Sequence, residues 1–385
     1  MSCYFTNYRC IECGREYAKD KLQYLCDDCS REYKPGMPLL GVLEAVFDYQ
    51  KIAKRWKQKP DPLLFSAVDP KYYPPLPVGN TPFFRAKRLE QPGYKLWLKF
   101  DGLNPSGSYK DRASQIVVAD AAQKGIDEIV AASTGNAASS LACLAASVGK
   151  KAVIFAPQSA PPAKLIQIQA HGAILHKVKG SYDDAFKAAL EYTHSHECMC
   201  RNTGYHPLTI DGKKSAGLEI YIENGFRVPD WIVIPVGDGV ILTGIYKAFL
   251  DLQRAGIIDV LPKLLCVQAE SSDAITSYWE SGVYHDAIKP GTMADSISVT
   301  TPALAHWSVL ALVETDGKAI RVSENEIQTA QLDLARKAGV FAEPSSSATL
   351  AGWNQAVNKG WIKPKEQSVL LITGHGLKDP QAVKL

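Results

Sequence analysis

The chain has 385 residues, with 43 Lys and Arg against 40 Asp and Glu, a formal net charge of +3, and 46% hydrophobic residues. So even a balance excludes the broad basic surface that sequence-independent nucleic-acid or anionic-membrane binding requires. The length predicts two to three domains whose core is large enough to fold without a disulfide framework.

The N-terminus reads MSCYFTNYRC, with neither the apolar stretch nor the small-residue cleavage site of a secretory signal, so a cytoplasmic location is expected. Cys10, Cys13, Cys26 and Cys29 then form two C-x2-C pairs. Two thiolate pairs at this spacing suit a structural, tetrahedral zinc ion, with Tyr17, Leu22, Tyr24 and Leu25 covering a knuckle too small to be stable without metal. All four coordination positions are then filled, so the ion has no open site for chemistry. Cys3, Cys143, Cys198, Cys200 and Cys266 are scattered. The run HSHECMC offers His194, His196, Cys198 and Cys200 at alternate positions. It follows a helical pattern, however, which puts the histidines at a helix end and the cysteines on a short strand.

Beyond Pro35 the pattern predicts a helix over 39–56 and then a proline-rich connector from Pro60 to Pro77. From residue 95, short β-branched runs alternate with amphipathic windows. Strands are predicted at 95–100, 128–133, 151–156, 173–178, 231–236, 263–269 and 368–372. Helices are predicted at 111–124, 137–149, 162–170, 182–194, 212–223, 242–255, 323–338 and 345–358. Near-continuous apolar strands separated by helices read as an α/β fold with parallel sheets covered on both faces. Ile129 to Gly149 carries no formal charge, but its Ser, Gly and Asn residues mark a strand, a turn and a buried helix, not a membrane span.

In such folds ligands sit beyond the carboxyl ends of strands, where glycine loops lead into helices. Four loops have this form. DGLNPSGSYKDR carries Lys110 at a helix start, where the helix dipole disfavours a further positive charge and favours a nucleophilic amine. STGNAASS presents Ser133, Thr134, Gly135 and Asn136, whose hydroxyls and N–H groups suit a carboxylate. PVGDGVILTG places Gly237 to Ile241 before a helix as a phosphate cradle. ITGHGLKDP puts Thr373 after the last strand. A reactive lysine, a carboxylate loop, a phosphate cup and a final hydroxyl together match the needs of pyridoxal 5′-phosphate.

The chain resembles the threonine synthase family, within the tryptophan-synthase-β type (fold type II) of pyridoxal-phosphate enzymes. The matching stretches are VGNTP (78–82), NPSGSYKDR (104–112), STGNAASSLA (133–142), DGKKSAGLEI (211–220), PVGDG (235–239), AEPSSSATLAG (342–352) and TGHGLKDP (373–380). They run in family order to the C-terminus, SYKDR and TGHGLKD being the most specific.

The resemblance implies a two-lobed α/β fold with parallel and mixed sheets behind an N-terminal zinc ribbon. Residues 1–34 would be the ribbon, 35–104 with 206–385 a large domain and 105–205 a small one, the active site lying in the cleft between them. It implies that Lys110 is the Schiff-base lysine and that Asn136 bonds the cofactor's 3-hydroxyl. Gly237, Asp238, Gly239, Val240 and Ile241 would hold the cofactor phosphate, and Thr373 would meet the pyridine nitrogen. Ser133, Thr134, Gly135 and Ala137 would hold the substrate carboxylate, and Thr209 and Lys214 would lie on the substrate's far end. The implied activity is that of a lyase of amino-acid metabolism taking O-phosphohomoserine and water to threonine and phosphate, in a homodimer.

Three departures bear on the substrate, one being Ala137, where the family often carries a Thr, which removes another phosphate donor. Thr209 stands where the family carries a phosphate-gripping arginine, in a segment one residue longer than usual, leaving Lys213 or Lys214 to compensate. Asp238 and Val240 replace Asn and Gly in the phosphate cup, so the Asp238 side chain is expected to face away from it. The alternatives are β-elimination from serine or threonine, which MADSISVTTPA (293–303) also resembles, and β-replacement on O-phosphoserine as in cysteate synthase. Lys110 and Asn136 argue against a non-catalytic binding module.

Overall fold

The structure, a computed structural model, describes residues 4–34, 36–160, 162–180, 182–288 and 291–383. Cys3 and Pro35 lie outside the described residues. In chain order the elements are β1 (Phe5–Cys10), β2 (Glu16–Ala18), β3 (Leu43–Phe47), α1 (Tyr49–Gln58), β4 (Phe83–Arg85), β5 (Lys95–Phe100) and α2 (Lys110–Gln123). There follow β6 (Glu128–Ala132), α3 (Asn136–Ala146), β7 (Lys151–Pro157), α4 (Pro162–Ala170), β8 (Ile174–Val178), α5 (Tyr182–Ser195), β9 (Met199–Cys200) and α6 (Leu208–Glu223). The remainder are β10 (Trp231–Pro235), α7 (Val240–Arg254), β11 (Lys263–Ala269), α8 (Ala274–Ser281), α9 (Ala305–Glu314), β12 (Lys318–Val322), α10 (Glu324–Ala338), α11 (Pro344–Asn358) and β13 (Gln367–Ile372).

The chain divides into two compact units, Met1–Val78 with Lys110–Ser215 and Gly79–Tyr109 with Ala216–Leu385. Residues 35–78 thus group with the ribbon and the smaller sheet, whereas the expected boundaries set them with the larger domain.

In the first unit β1 pairs antiparallel with β2 and β3, while β8-β7-β6-β9 form a wholly parallel sheet. The expected helix over 39–56 is half strand. Leu43, Glu44, Ala45 and Phe47 are buried against β1, so pairing overrides the helical pattern until Asp48 caps α1 by accepting from the Lys51 N–H. The HSHECMC run behaves as expected, α5 ending at Ser195 and the cysteines following on and around β9. The histidine end of that run carries a ring stack, Tyr192 on His196 at 3.8 Å.

In the second unit the strand order is β12-β11-β10-β13-β5-β4, parallel except for β4. Its core joins Leu96, Leu98, Val233, Leu265, Val267, Leu370 and Ile372 to Trp353 and Ala348 of α11. A Cβ at Gly352 would strike Val267, so glycine lets α11 lie close on the sheet. β10, β13 and β5 are adjacent and parallel, with Val233 beside Leu370 and Ile372 beside Phe100. Their carboxyl ends therefore deliver three of the glycine loops to one edge of this sheet, where such folds bind ligands.

Candidate active site

In the second unit Gly237 to Gly239 form a tight approach to α7. Gly239 has a φ of 84° and precedes the helix without a side-chain cap. A Cβ there would run into the Ser308 hydroxyl and, at 3.0 Å, the Leu304 carbonyl oxygen; one at Gly237 would lie 2.9 Å from Ile297 Cα. Only glycine fits both places, and the helix start keeps N–H groups and a positive dipole end for an anion. The Ser308 hydroxyl, fully buried beside Gly239, has no protein partner. Asp238 does not simply face away as expected. Its Oδ1 accepts the Val240 N–H at 3.1 Å, so a half-buried carboxylate shares the helix end with any anion bound there.

Thr373 follows β13 and is buried, its Oγ1 lying 3.1 Å from the Ser346 Oγ of α11. Ser346 Oγ also accepts the Gly374 N–H at 2.9 Å. A Cβ at Gly374 would meet the buried Glu343 carboxylate, so glycine is obligatory there too. The segment leading to Lys110 is tied to this strand end, the Tyr109 N–H donating to the Thr373 carbonyl at 2.7 Å and the His375 N–H to that of Gly107 at 3.0 Å.

In the first unit Lys110 is the half-buried first residue of α2. Asn136 is the first residue of α3, and Gly135 before it provides no side-chain cap. Ser133, Thr134, Gly135, Asn136 and Ala137 are all half-buried, flanked by buried β6 and a buried helix body. The loop is the accessible part of a well-packed unit, with a helix N-terminus for a negative group. Asn202 is adjacent to this loop. Its Oδ1 accepts the Ala132 N–H at 2.8 Å, and its buried Nδ2 has no protein partner.

The far-end residues are occupied by internal partners. Thr209 Oγ1 donates to the His206 carbonyl at 2.7 Å and accepts the Gly204 N–H at 3.0 Å, bracing the entry to α6. Lys214 pairs with Asp211, and its ammonium lies 3.9 Å from the centre of the Phe47 ring. Lys213 is fully buried, and Arg112 donates to Ser215 Oγ at 2.9 Å.

The sulfur atoms of Cys10, Cys13, Cys26 and Cys29 lie within 4.8 Å of one another, the only such group of metal-ligating side chains among the described residues. Cys13 and Cys26 sulfurs are 3.6 Å apart, near the roughly 3.8 Å that four thiolates 2.3 Å from one ion would show. Burial works against the Cys26 thiolate, yet the N–H groups of Cys29 and Asp28 and the Tyr17 hydroxyl bring its thiol down to about 6. The donor set and spacing fit zinc.

A glycine cradle at a helix start and a buried hydroxyl pair, on neighbouring parallel strand ends, would suit the two ends of a phosphorylated pyridine, and the class they point to is the fold type II pyridoxal-phosphate enzymes. The chain belongs to the family described as "Pyridoxal-phosphate dependent enzyme", which its residues 75–374 match. Within it the chain groups with the threonine synthases as a pyridoxal-phosphate-dependent lyase. It is 36% identical to the threonine synthase of Methanosarcina acetivorans and 34% identical to that of Methanocaldococcus jannaschii, in each case over 97% of this chain and 93% of the relative. Among solved structures it resembles processed threonine deaminase isoform 2 from Solanum lycopersicum, with a TM-score of 0.67 and 21% identity over 78% of this chain and 81% of that one. A fungal L-serine ammonia-lyase from Rhizomucor miehei gives a TM-score of 0.67 and 20% identity over 77% of this chain and 94% of that one. No helix of the described residues is long and apolar enough to cross a membrane.

Glu343 and Ser346 fall in the AEPSSSATLAG stretch without being singled out by it, and Asn202 carries no signature in sequence. Ser346 is one of three consecutive serines, and only packing singles it out. Asn202 would be visible only to a reader who knew that β9 ends beside β6.

Proposed function

We propose that this chain converts O-phosphohomoserine and water to threonine and phosphate. The observation carrying this reading is the match to threonine synthases at 34–36% identity over nearly the whole chain, with a lysine at the start of α2 and open loops at two helix starts.

Lys110 would anchor the cofactor covalently, and its uncharged amine would take the Cα proton of the bound amino acid. The N–H groups and hydroxyls of Ser133 to Ala137 hold the substrate carboxylate, so that Cα faces that amine. Asn136 hydrogen-bonds the cofactor's ring hydroxyl. Gly237 to Ile241 grip the cofactor phosphate, and Thr373, steadied by Ser346, offers a neutral hydroxyl to the ring nitrogen. When bound, pyridoxal phosphate supplies an electron sink for the pair released at Cα. A neutral Thr373 would not hold the ring nitrogen protonated as a carboxylate would, which would favour loss and replacement of a substituent over transamination. The four cysteines hold a structural zinc ion, and the protein works as a homodimer on a small amino acid.

One observation favours a second reading. Thr209 and Lys214 spend their polar atoms inside the protein, so neither is offered to a substrate phosphate as it stands. An unphosphorylated hydroxyamino acid, deaminated by β-elimination, needs no such grip. The deciding assay compares phosphate release from O-phosphohomoserine with keto-acid release from threonine and serine. Phosphate release with threonine as the product supports the first reading; keto acid alone retires it.

A further inference from the structure

We propose that Tyr24, carried by the cysteine knuckle, is a positioning residue that sets Asn202 and, through it, the Ser133–Ala137 loop. The inference rests on the reading of that loop as the substrate-carboxylate site.

Each link lies inside the first unit and is a direct contact. Tyr24 stands two residues before Cys26, on the span joining the two cysteine pairs, and Leu25 is bridged to Val42 at the end of the knuckle. The Tyr24 hydroxyl accepts the Cys200 N–H at 2.8 Å. Its ring stacks on Tyr205 with centroids 5.0 Å apart and meets the edge of His206 at 5.5 Å. One side chain of the knuckle thus holds both ends of the segment from Cys200 to His206. Asn202 lies within that segment. The Arg201 N–H continues the ladder to the Val130 carbonyl at 2.7 Å, and Asn202 Oδ1 takes the Ala132 N–H in place of the next strand residue. Ala132 is the last residue before the loop.

This bond fixes which way the Asn202 amide faces, because an N–H must meet the oxygen, and Nδ2 is left buried without an acceptor beside Ala132. A buried amide with no acceptor costs free energy that a bound carboxylate can return. The knuckle therefore does more than cap the sheet. It holds the donor, and the strand end carrying the loop, at a set height.

The test uses the full-length holoenzyme with O-phosphohomoserine as the probe. Measured are KM and kcat, equilibrium binding read from the cofactor absorbance, cofactor content, and amide hydrogen exchange over residues 132–136. Tyr24→Phe keeps the ring stack and removes the acceptor for Cys200. It is expected to raise KM and the binding constant about three- to ten-fold, the worth of one hydrogen bond, with faster exchange over 132–136 and unchanged kcat and cofactor content. Asn202→Ala is expected to raise KM further, and the double variant to add nothing to it, as coupled sites behave. Unchanged KM and exchange in Tyr24→Phe, additive effects, or parallel loss of cofactor would each overturn the proposal. Thr134→Ala separates the two levels. If it weakens binding while Tyr24→Phe does not, the relay alone fails; if Thr134→Ala and Asn202→Ala both leave binding unchanged, the carboxylate reading of the loop fails with it.

Discussion

Ser346 Oγ and Thr373 Oγ1 lie 3.1 Å apart in a buried pocket of the second unit, and the same Ser346 oxygen receives the Gly374 N–H. Ser346 therefore ties α11 to the end of β13 at the residue proposed to face the ring nitrogen. Ser346→Ala leaves the buried Gly374 N–H without its acceptor, at a cost of about 1–3 kcal/mol, to be read by denaturant unfolding. Thr373→Ser should preserve turnover, while the isosteric Thr373→Val should lower kcat at least ten-fold and shift the cofactor absorbance band. Equal turnover in the Val variant would remove Thr373 from the mechanism.

Asp238 brings a carboxylate to the start of α7, where the cofactor phosphate is expected. Asp238→Asn keeps an oxygen for the Val240 N–H and removes the charge. Cofactor affinity should rise about five-fold, roughly 1 kcal/mol, the gain shrinking in high salt. Titration of apoenzyme with pyridoxal phosphate at two ionic strengths checks both points, and weaker binding would show that the carboxylate does not oppose the phosphate.

His206 is buried, and that burial, with Lys124 and Arg201 nearby, pushes its imidazole down to about 3. An unfolded histidine binds a proton below about 6.5 and the folded one does not until about 3, so the unfolded state holds more protons across that window. His206 therefore makes stability fall as pH drops from about 6.5 towards 3. Asp120, 3.9 Å away and raised by burial, acts with the opposite sign over the lower part of the range. His206→Gln should flatten the pH dependence of denaturant midpoints between pH 6.5 and 5, where Asp120 contributes least. An unchanged slope would place the dependence elsewhere.

The cysteine cluster is expected to bind one zinc ion per chain. Cys26→Ser, which removes the thiol brought down to about 6, should reduce the metal recovered by elemental analysis to about a tenth or less, because a structural zinc site needs all four ligands. Full zinc occupancy in that variant would mean the ion is held elsewhere.

Thr209→Val discriminates structure from substrate at one position. Loss of the bonds to His206 and Gly204 should destabilise the protein by about 1–2 kcal/mol with KM unchanged. A KM rise without loss of stability would return Thr209 to the substrate.

Seven strands of the two larger sheets and most of their helices were legible in sequence because local composition and period mark them, whereas β4 and the buried β12 were missed. The four loops were legible for the same reason, since glycine and hydroxyl residues at strand ends answer to local backbone demands. β3 was not. Its pattern matches a helix until β1 lies beside it, and pairing between residues so far apart along the chain leaves no local trace. Nor were α8, which is only eight residues long, and α9, whose exposed Leu310 and Val313 make it apolar nearly all round and hide the helical period.

The sequence by itself determined the α/β class, the family, the paired cysteines and the lysine at a helix start, because each rests on residues close along the chain. Tertiary structure alone decided that Ser346 meets Thr373, that Asp238 turns back on its own helix, and that Thr209 and Lys214 are spent internally. It also decided that Tyr24 of the knuckle reaches Cys200. Ser346 with Thr373 and Tyr24 with Cys200 are joined only by sheet order and helix packing. The bonds of Asp238, Thr209 and Lys214 are local, but a carboxylate, a hydroxyl or an ammonium looks the same in sequence whether its partner is a ligand or its own fold.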